Sequence, residues 1–323
     1  MIIFMIPAEV VWHIFSFIHP FDAQRLRRLC RTTDQWLSDT RFIGGNLRRF
    51  QKQLCNERDA EWGRILGMPV HFQSCMVAHF HSQTSRVEAY NCKATSKPFP
   101  EFLTRMQELE VVAISSSLTG NLPASIGCLQ HLRTLNLSRN CLVGPMPSSI
   151  GNLIQLQCLD LSENHFAGLI PWTSLARLVK LETLNLSSNH FSGIISSEVS
   201  ALSESLLSLH LEGNSLSGGI PSGLGLLHQL KELCLGRNHL TGCIPEELGM
   251  LRDLVWIDLD SRHLLFGIPA FFPRRLTYLA RTFLKSADRA CNEEDDEGYE
   301  SGWDATDTMF LEITPSLMMN LNV

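Results

Sequence analysis

Leucine positions along most of this chain recur in one fixed order. The shared pattern is L-x-x-L-x-L-x-x-N-x-L-x-G-x-I-P, with small departures, followed by I/L-G-x-L. Clean copies begin at Leu132, Leu156, Leu181, Leu206 and Leu230. Degenerate copies begin at Leu109 and Leu254, and successive starts from Leu132 onward lie 24 or 25 residues apart. A pattern with a fixed period of this length predicts a stack of similar structural units.

The spacing within one copy predicts its local structure. The L-x-L pair alternates as in a short strand, so its leucines face inward and the residue between them faces solvent. The glycine permits a tight turn, whereas the proline disfavours a regular strand or helix and predicts an irregular convex side. One copy cannot bury its leucines alone, so stacked copies are expected to share a continuous core.

Each clean copy carries one asparagine where the chain turns off the strand. Its amide offers both donors and an acceptor, so it can satisfy backbone groups at that turn. We therefore predict a structural ladder of asparagines through the stack. Its members are Asn140, Asn164, Asn189, Asn214 and Asn238.

The period and skeleton resemble leucine-rich repeats. The L-x-G-x-I-P-x-x-I-G-x-L segment is similar to the plant-type subclass, which is familiar from cell-surface receptors and secreted inhibitors. The resemblance implies an α/β fold, a leucine-rich-repeat solenoid (horseshoe), with about seven repeats of 23–25 residues over 109–285. Residues 46–108 are predicted to be a linker and the N-terminal cap of the solenoid, because an uncapped end would expose leucines.

The solvent-facing strand positions are predicted to bind a target protein. They differ between copies and are mixed in sign, which favours a protein ligand over a uniform polyanion. Trp256 is either an exposed anchor or packed under the C-terminal segment, and both alternatives stay open. The positions include Arg133, Asn136, Arg139, Gln157, Asp160, Glu163, Glu182, Asn185, His210, Glu212, Lys231, Arg237, Trp256, Asp258 and Asp260.

The first twenty residues carry an apolar face at the helical spacing i, i+3, i+4 and i+7. Pro7 suits the first helical position, and Pro20 ends the helix. No Lys or Arg precedes Arg25, and the apolar run is shorter than the ~20 residues that span a bilayer. We therefore predict an uncleaved amphipathic helix instead of an export signal or a membrane anchor.

The stretch from Ile6 to Asp39 resembles an F-box. The matching positions are Ile6-Pro7, Glu9, Ile14-Phe15, Asp22, Cys30-Arg31 and Trp36, and Ala23 departs from the family pattern. The resemblance implies a small all-α, three-helix domain over residues 1–45 that docks onto a Skp1-like adaptor of a cullin ligase. The residues expected to bind the adaptor are Ile6, Pro7, Val11, Ile14, Phe15, Ile18, Leu26 and Trp36.

Charge is concentrated near the C-terminus. Residues 288–307 carry nine acidic side chains against Arg289, a net charge of −8. The whole chain carries −6, so the remainder carries +2 (−6 minus −8) and gives no case for nucleic acid or an anionic membrane surface as a partner. Residues 286–323 are predicted to be an acidic, disordered tail.

The ten cysteines are scattered and several recur at matching points of the repeat, which does not indicate a disulfide framework. Free thiols in a reducing compartment are the simpler interpretation. His71, Cys75, His79, His81 and Cys92 include no closely spaced C-x-x-C pair, so we predict no metal site and no cofactor.

Two functions of different kinds fit these features. The leading hypothesis is a non-catalytic substrate-recognition subunit of an SCF-type ubiquitin ligase, cytoplasmic or nuclear, whose concave face holds an unknown target protein. The alternative is a secreted or cell-surface recognition protein of the plant type. Formal glycosylation sequons begin at Asn136 and Asn185, but the repeat itself nearly forces them. An enzyme is disfavoured, because no nucleophile-base-acid set and no phosphate loop are present in the sequence.

Overall fold

The computed structural model of this chain describes residues 85–90, 97–115 and 118–259. The predicted three-helix domain, all eight predicted adaptor-binding residues and the acidic tail lie outside the described residues. The same holds for Asp260 and for the cysteine and histidine residues considered for a metal between 71 and 92.

The first feature of the fold is a parallel sheet, here called the main sheet. Within the described residues it has eight strands, which alternate along the chain with those of a second sheet. Its strands, in order, are β1 (Arg86–Tyr90), β3 (Val111–Ser115), β5 (Thr134–Asn136), β7 (Cys158–Asp160), β9 (Thr183–Asn185), β11 (Ser208–His210), β13 (Glu232–Cys234) and β15 (Trp256–Asp258). From β5 onward each main-sheet strand holds the first apolar residue of the predicted L-x-L pair, and the second lies just after the strand, as Leu137 does after β5. β1 precedes the first predicted repeat and pairs with β3.

A second parallel sheet was not predicted from the sequence. Its seven strands in the described residues are β2 (Lys97–Pro98), β4 (Leu118–Asn121), β6 (Cys141–Gly144), β8 (His165–Leu169), β10 (His190–Ile194), β12 (Ser215–Gly218) and β14 (His239–Leu240). From β6 onward they follow the repeat asparagines and carry one buried apolar residue each. Such short segments show no alternation that a sequence pattern could reveal.

The third side of each repeat is a single helical turn. Prolines at its N-terminal boundary hold an extended conformation, for example Pro147 with φ −69° and ψ 133°. Most of the turns are 3-10 helices: Glu101–Arg105, Ala124–Cys128, Ser148–Asn152, Ser197–Leu202, Ser222–Leu226 and Glu246–Met250. Trp172–Leu175 forms an α-helical turn instead. The predicted irregular side is therefore made of short regular turns, because the proline excludes strand before the turn but suits its first position.

The core runs through the stack and is mostly leucine. The middle residue of each main-sheet strand from β5 to β13, such as Leu159 or Leu209, is fully buried. Phe166 and Phe191 take the position that leucine holds in the other repeats, and their rings lie parallel with centroids 6.0 Å apart. Because the apolar contacts run between neighbouring repeats, burial of one repeat depends on the next.

The repeat asparagines are buried and bonded to backbone. Asn189 Oδ1 accepts the N–H of Phe166 at 2.9 Å, and its Nδ2 donates to the carbonyls of Leu161, Leu186 and Ser187 at 2.9, 3.2 and 3.1 Å. Phe166 and Leu161 belong to the preceding repeat, so the side chain joins two repeats. The same bonds to the asparagine's own turn and to the preceding repeat recur at Asn140, Asn164, Asn214 and Asn238.

Candidate functional site

The candidate site is the outer face of the main sheet, defined as the face opposite the leucine core. Strand residues on either side of the buried leucine point to this face. Because the strands are parallel and in register, equivalent residues form rows across it. One row, here called the central row, consists of Asn136, Asp160, Asn185, His210, Cys234 and Asp258.

Three members of the central row stabilise their own turn. Asn136 Oδ1 accepts the backbone N–H of Ser138 at 3.0 Å and its hydroxyl at 2.8 Å. Asp160 and Asn185 accept the same two bonds from Ser162 and Ser187. In these repeats the row therefore has a structural role, and the sequon asparagines Asn136 and Asn185 are half-buried in it.

The next two repeats replace this arrangement with different chemistry. His210 and Glu212 stand where the three preceding repeats have Asn or Asp and Ser, and Cys234 stands beside His210. The His210 Nε2–H donates to Glu232 Oε2 at 2.9 Å. Glu212 Oε2 is buried and has no hydrogen-bond partner among the described residues.

Burial and carboxylates shape the titration of this face. Burial raises the pKa of the Cys158 thiol to about 11, and Asp160 and Glu182 add to the rise. Burial also raises the pKa of Cys234, helped by the charges of Glu212, Asp258 and Glu232. Both thiols therefore stay protonated near neutral pH.

The histidine and its two glutamates are coupled. Burial lowers the pKa of His210, but the hydrogen bond to Glu232 and the charges of nearby carboxylates outweigh it, so the net shift is upward. The hydrogen bond from His210 lowers the pKa of Glu232. Burial raises the pKa of Glu212, which is opposed by hydrogen bonds and by the charge of His210.

The assignment of all predicted binding residues to strand positions was wrong. The main-sheet strands are three residues long from β5 onward, so several of these residues lie just before or after a strand. The residue that precedes the repeat asparagine has left the strand and has a positive φ, for example 57° at Arg139. The displaced residues are Arg133, Arg139, Gln157, Glu163, Glu182, Glu212, Lys231 and Arg237.

Exposure divides the predicted binding residues into two groups. Those beside the strands are mostly exposed, namely Arg133, Arg139, Glu163, Glu182, Lys231 and Arg237. The half-buried group is Asn136, Gln157, Asp160, Asn185, His210, Glu212, Trp256 and Asp258. Trp256 is half-buried next to Cys234 within the sheet, and the C-terminal segment of its second alternative lies outside the described residues.

Ion pairs join equivalent positions of successive repeats. Arg139 Nε lies 2.9 Å from Glu163 Oε1, and Arg133 Nε lies 3.5 Å from Glu110 Oε2. Since these pairs are exposed, each contributes only about 0–1 kcal/mol to stability. They leave the face polar without fixing it rigidly.

The sequence analysis missed Glu232 and Cys234. A signal was present, because Cys234 lies 24 residues after His210, which is one repeat period. Aligning the copies by their asparagines gives His210 and Cys234 equivalent positions, and the strand register pairs them in the same way. None of the described helices is long and apolar enough to cross a membrane.

Family comparisons identify the repeats. A model described as "Leucine rich repeat" matches residues 130–191, and a second, "Leucine Rich Repeat", matches residues 205–227 and 229–251. No F-box is detected, so the F-box resemblance has no support from these comparisons. A search of curated proteins finds no match.

Solved structures with similar folds include plant receptors. A TDR receptor is 30% identical over 64% of this chain and 36% of its own, with a TM-score of 0.59. The ectodomain of the Arabidopsis receptor kinase HAESA, solved with a peptide hormone ligand, is 33% identical over 62% of this chain and 32% of its own, with a TM-score of 0.57. This chain thus spans about a third of the length of either structure.

The similar structures indicate the fold and the kind of module that the repeats form. The neighbours are receptor ectodomains, and one of them holds a peptide. The repeats of this chain accordingly form a non-catalytic interaction module. Its family matches, its parallel strands and its asparagine ladder together show that the chain contains leucine-rich repeats folded as an α/β solenoid.

Proposed function

We propose that the outer face of the main sheet binds a peptide or an extended protein segment, as in a plant-type recognition protein. The observation that carries this proposal is the contrast between the two sides of each strand. The inward residues Leu159, Leu184 and Leu209 are identical and fully buried. Their outward neighbours change from repeat to repeat, so the face offers a row of different contacts to one ligand.

The comparison with HAESA supports an extended ligand. That ectodomain is described in complex with a peptide hormone, and this chain matches part of it at 33% identity. The face is mixed in sign, but the stretch from β7 to β11 carries mainly carboxylates, among them Asp160, Glu163 and Glu182, which favour a ligand that carries basic side chains there.

The proposal predicts that a charge reversal at Glu182 weakens peptide binding. Glu182 is exposed directly before β9, so Glu182→Arg changes the face without entering the core. Peptides selected from a random library on the full chain should be rich in Lys and Arg. Their affinity for Glu182→Arg should fall about tenfold, which corresponds to about 1.4 kcal/mol.

A matched variant controls for net charge. Glu198→Arg makes the same charge change at an exposed site in the helical turn Ser197–Leu202. Peptide affinity measured by fluorescence anisotropy should be the same for this variant and the unaltered chain. Equal losses in both variants, or a library that yields no binding peptide, would contradict binding at the outer face.

A second candidate function rests on the sequence pattern from Ile6 to Asp39. In this proposal the segment docks onto a Skp1-like adaptor of a cullin ligase, and the repeats hold a target protein for ubiquitin transfer. The cytoplasmic or nuclear location belongs to the same proposal. Only the spacing of the matching residues supports it, since those residues lie outside the described part of the chain.

The adaptor proposal predicts capture of recombinant Skp1 by the tagged chain. Ile14→Asp combined with Phe15→Asp should abolish capture, because both changes put charge on the apolar docking face. The repeats should keep their circular dichroism signal in that variant. Absence of capture by the folded, unaltered chain would leave recognition by the repeats as the sole function.

A further inference from the structure

Two adjacent repeats carry three side chains with metal-binding chemistry on one patch of the outer face. We propose that His210, Glu212 and Cys234 bind a zinc ion. Three potential ligand atoms lie within 4.8 Å of one another: one ring nitrogen of His210, a carboxylate oxygen of Glu212 and the sulfur of Cys234. This set of nitrogen, oxygen and sulfur donors is one that zinc accepts in proteins.

The fold itself brings the three residues together. His210 and Cys234 are register partners in β11 and β13, and equivalent residues of neighbouring strands lie about 4.8 Å apart. Glu212 follows His210 by two residues. With Zn–N and Zn–S distances of about 2.0–2.3 Å, the ligand atoms of a tetrahedral site lie roughly 3.3–3.8 Å apart. The three side chains therefore need to close by about 1 Å, which is within the range of small rotamer adjustments.

The patch contains buried carboxylate charge that a cation would stabilise. Glu212 Oε2 is buried without a hydrogen-bond partner among the described residues. An unpaired buried carboxylate oxygen is costly, and in a native protein it calls for an explanation. The Cys234 side chain is also buried, and it lies among the carboxylates of Glu212, Glu232 and Asp258. A zinc ion would offset two of these negative charges, and the thiol would release its proton to solvent on binding.

The histidine is already oriented by a carboxylate. Because its Nε2–H donates to Glu232 at 2.9 Å, a neutral ring keeps the lone pair on Nδ1 for the metal. Glu232 is therefore a positioning residue. Three protein ligands leave a fourth position for water.

Cobalt substitution provides a direct test. The full chain is purified without metal and titrated with Co²⁺, which gives a thiolate charge-transfer band when cysteine binds it, and then with Zn²⁺ in competition. We expect one equivalent that gives the band and that zinc displaces. Cys234→Ser should remove this equivalent and its band, and Glu232→Gln should weaken zinc binding about tenfold.

Matched variants make the result decisive. Cys158→Ser removes a thiol from the same face, three strands away from Cys234 and also beside carboxylates, and should leave the band unchanged. Unaltered circular dichroism and an unaltered urea midpoint for Cys234→Ser in the absence of metal would show that this variant folds. The proposal is overturned if the unaltered chain binds no zinc, or if the band survives in Cys234→Ser. Peptide binding does not enter this readout, so failure here is distinguishable from failure of the proposed function.

Discussion

Replacing Phe191 with alanine is expected to lower the free energy of unfolding by about 4 kcal/mol. The side chain is fully buried in β10, and its ring lies parallel to that of Phe166 in the preceding repeat. The substitution leaves a cavity between two repeats and also removes the aromatic pair, which contributes about 0.5–1.5 kcal/mol beyond burial. Urea denaturation followed by circular dichroism measures the change as a lower midpoint.

Phe191→Leu is the matched control for this prediction. Leucine holds the equivalent position in other repeats, at Leu142, Leu216 and Leu240, so the backbone there accepts it. A swap that nearly conserves volume usually costs less than about 1.5 kcal/mol. Similar losses for alanine and leucine would show that the aromatic ring, not the filled volume, is what the site requires.

Replacing Asn189 with alanine is expected to lower the free energy of unfolding by about 3 kcal/mol. The substitution leaves the buried N–H of Phe166 without its acceptor and removes the donor to the carbonyls of Leu161, Leu186 and Ser187. The N–H of Phe166 then bears the full cost of desolvation, whereas the carbonyls of Leu161, Leu186 and Ser187 each keep a second donor. Urea denaturation of the variant and the unaltered chain compares the two midpoints.

Two further variants test which hydrogen bonds of Asn189 account for the loss of stability. Asn189→Asp keeps an acceptor for the Phe166 N–H but faces three carbonyls with a carboxylate, so it should destabilise at least as much as alanine. Asn152→Ala removes an exposed amide of the helical turn and should change stability by less than about 0.5 kcal/mol. If Asn189→Asp retained full stability, the acceptor alone would account for the role of this residue.

The sequence predicted the parts of the fold that rest on repetition. The leucine spacing predicts strands at the L-x-L pairs, which form one residue earlier than predicted, and it predicts the inward face. The asparagines are buried in the turn where the pattern predicts a ladder. The second sheet escaped prediction because strands such as His239–Leu240 are too short to show a period. Their extended form depends on the neighbouring repeat, whose asparagine holds one backbone N–H of the preceding unit.

The candidate site was predictable only in outline. The variable positions lie on or beside the outer face of the main sheet, but their partners depend on neighbouring strands, which no single copy encodes. The sequence analysis looked for metal ligands close together along the chain and predicted none. His210 and Cys234 are distant along the chain and adjacent in the sheet, so the proposed zinc site became visible only through the strand register.

The asparagine ladder also has a direction. Each amide bonds to its own turn and to the repeat before it, so Asn214 fastens the repeat that carries Phe191, and Asn238 the repeat that carries Leu216. On the ribosome, a chain emerges with its earlier repeats first. Each newly completed repeat can therefore pack against the preceding repeat, which has already left the exit tunnel, and hydrogen-bond to it through its asparagine. Because of this polarity, a chain shortened from its C-terminal side loses, within the ladder, only the asparagine bonds to its last remaining repeat.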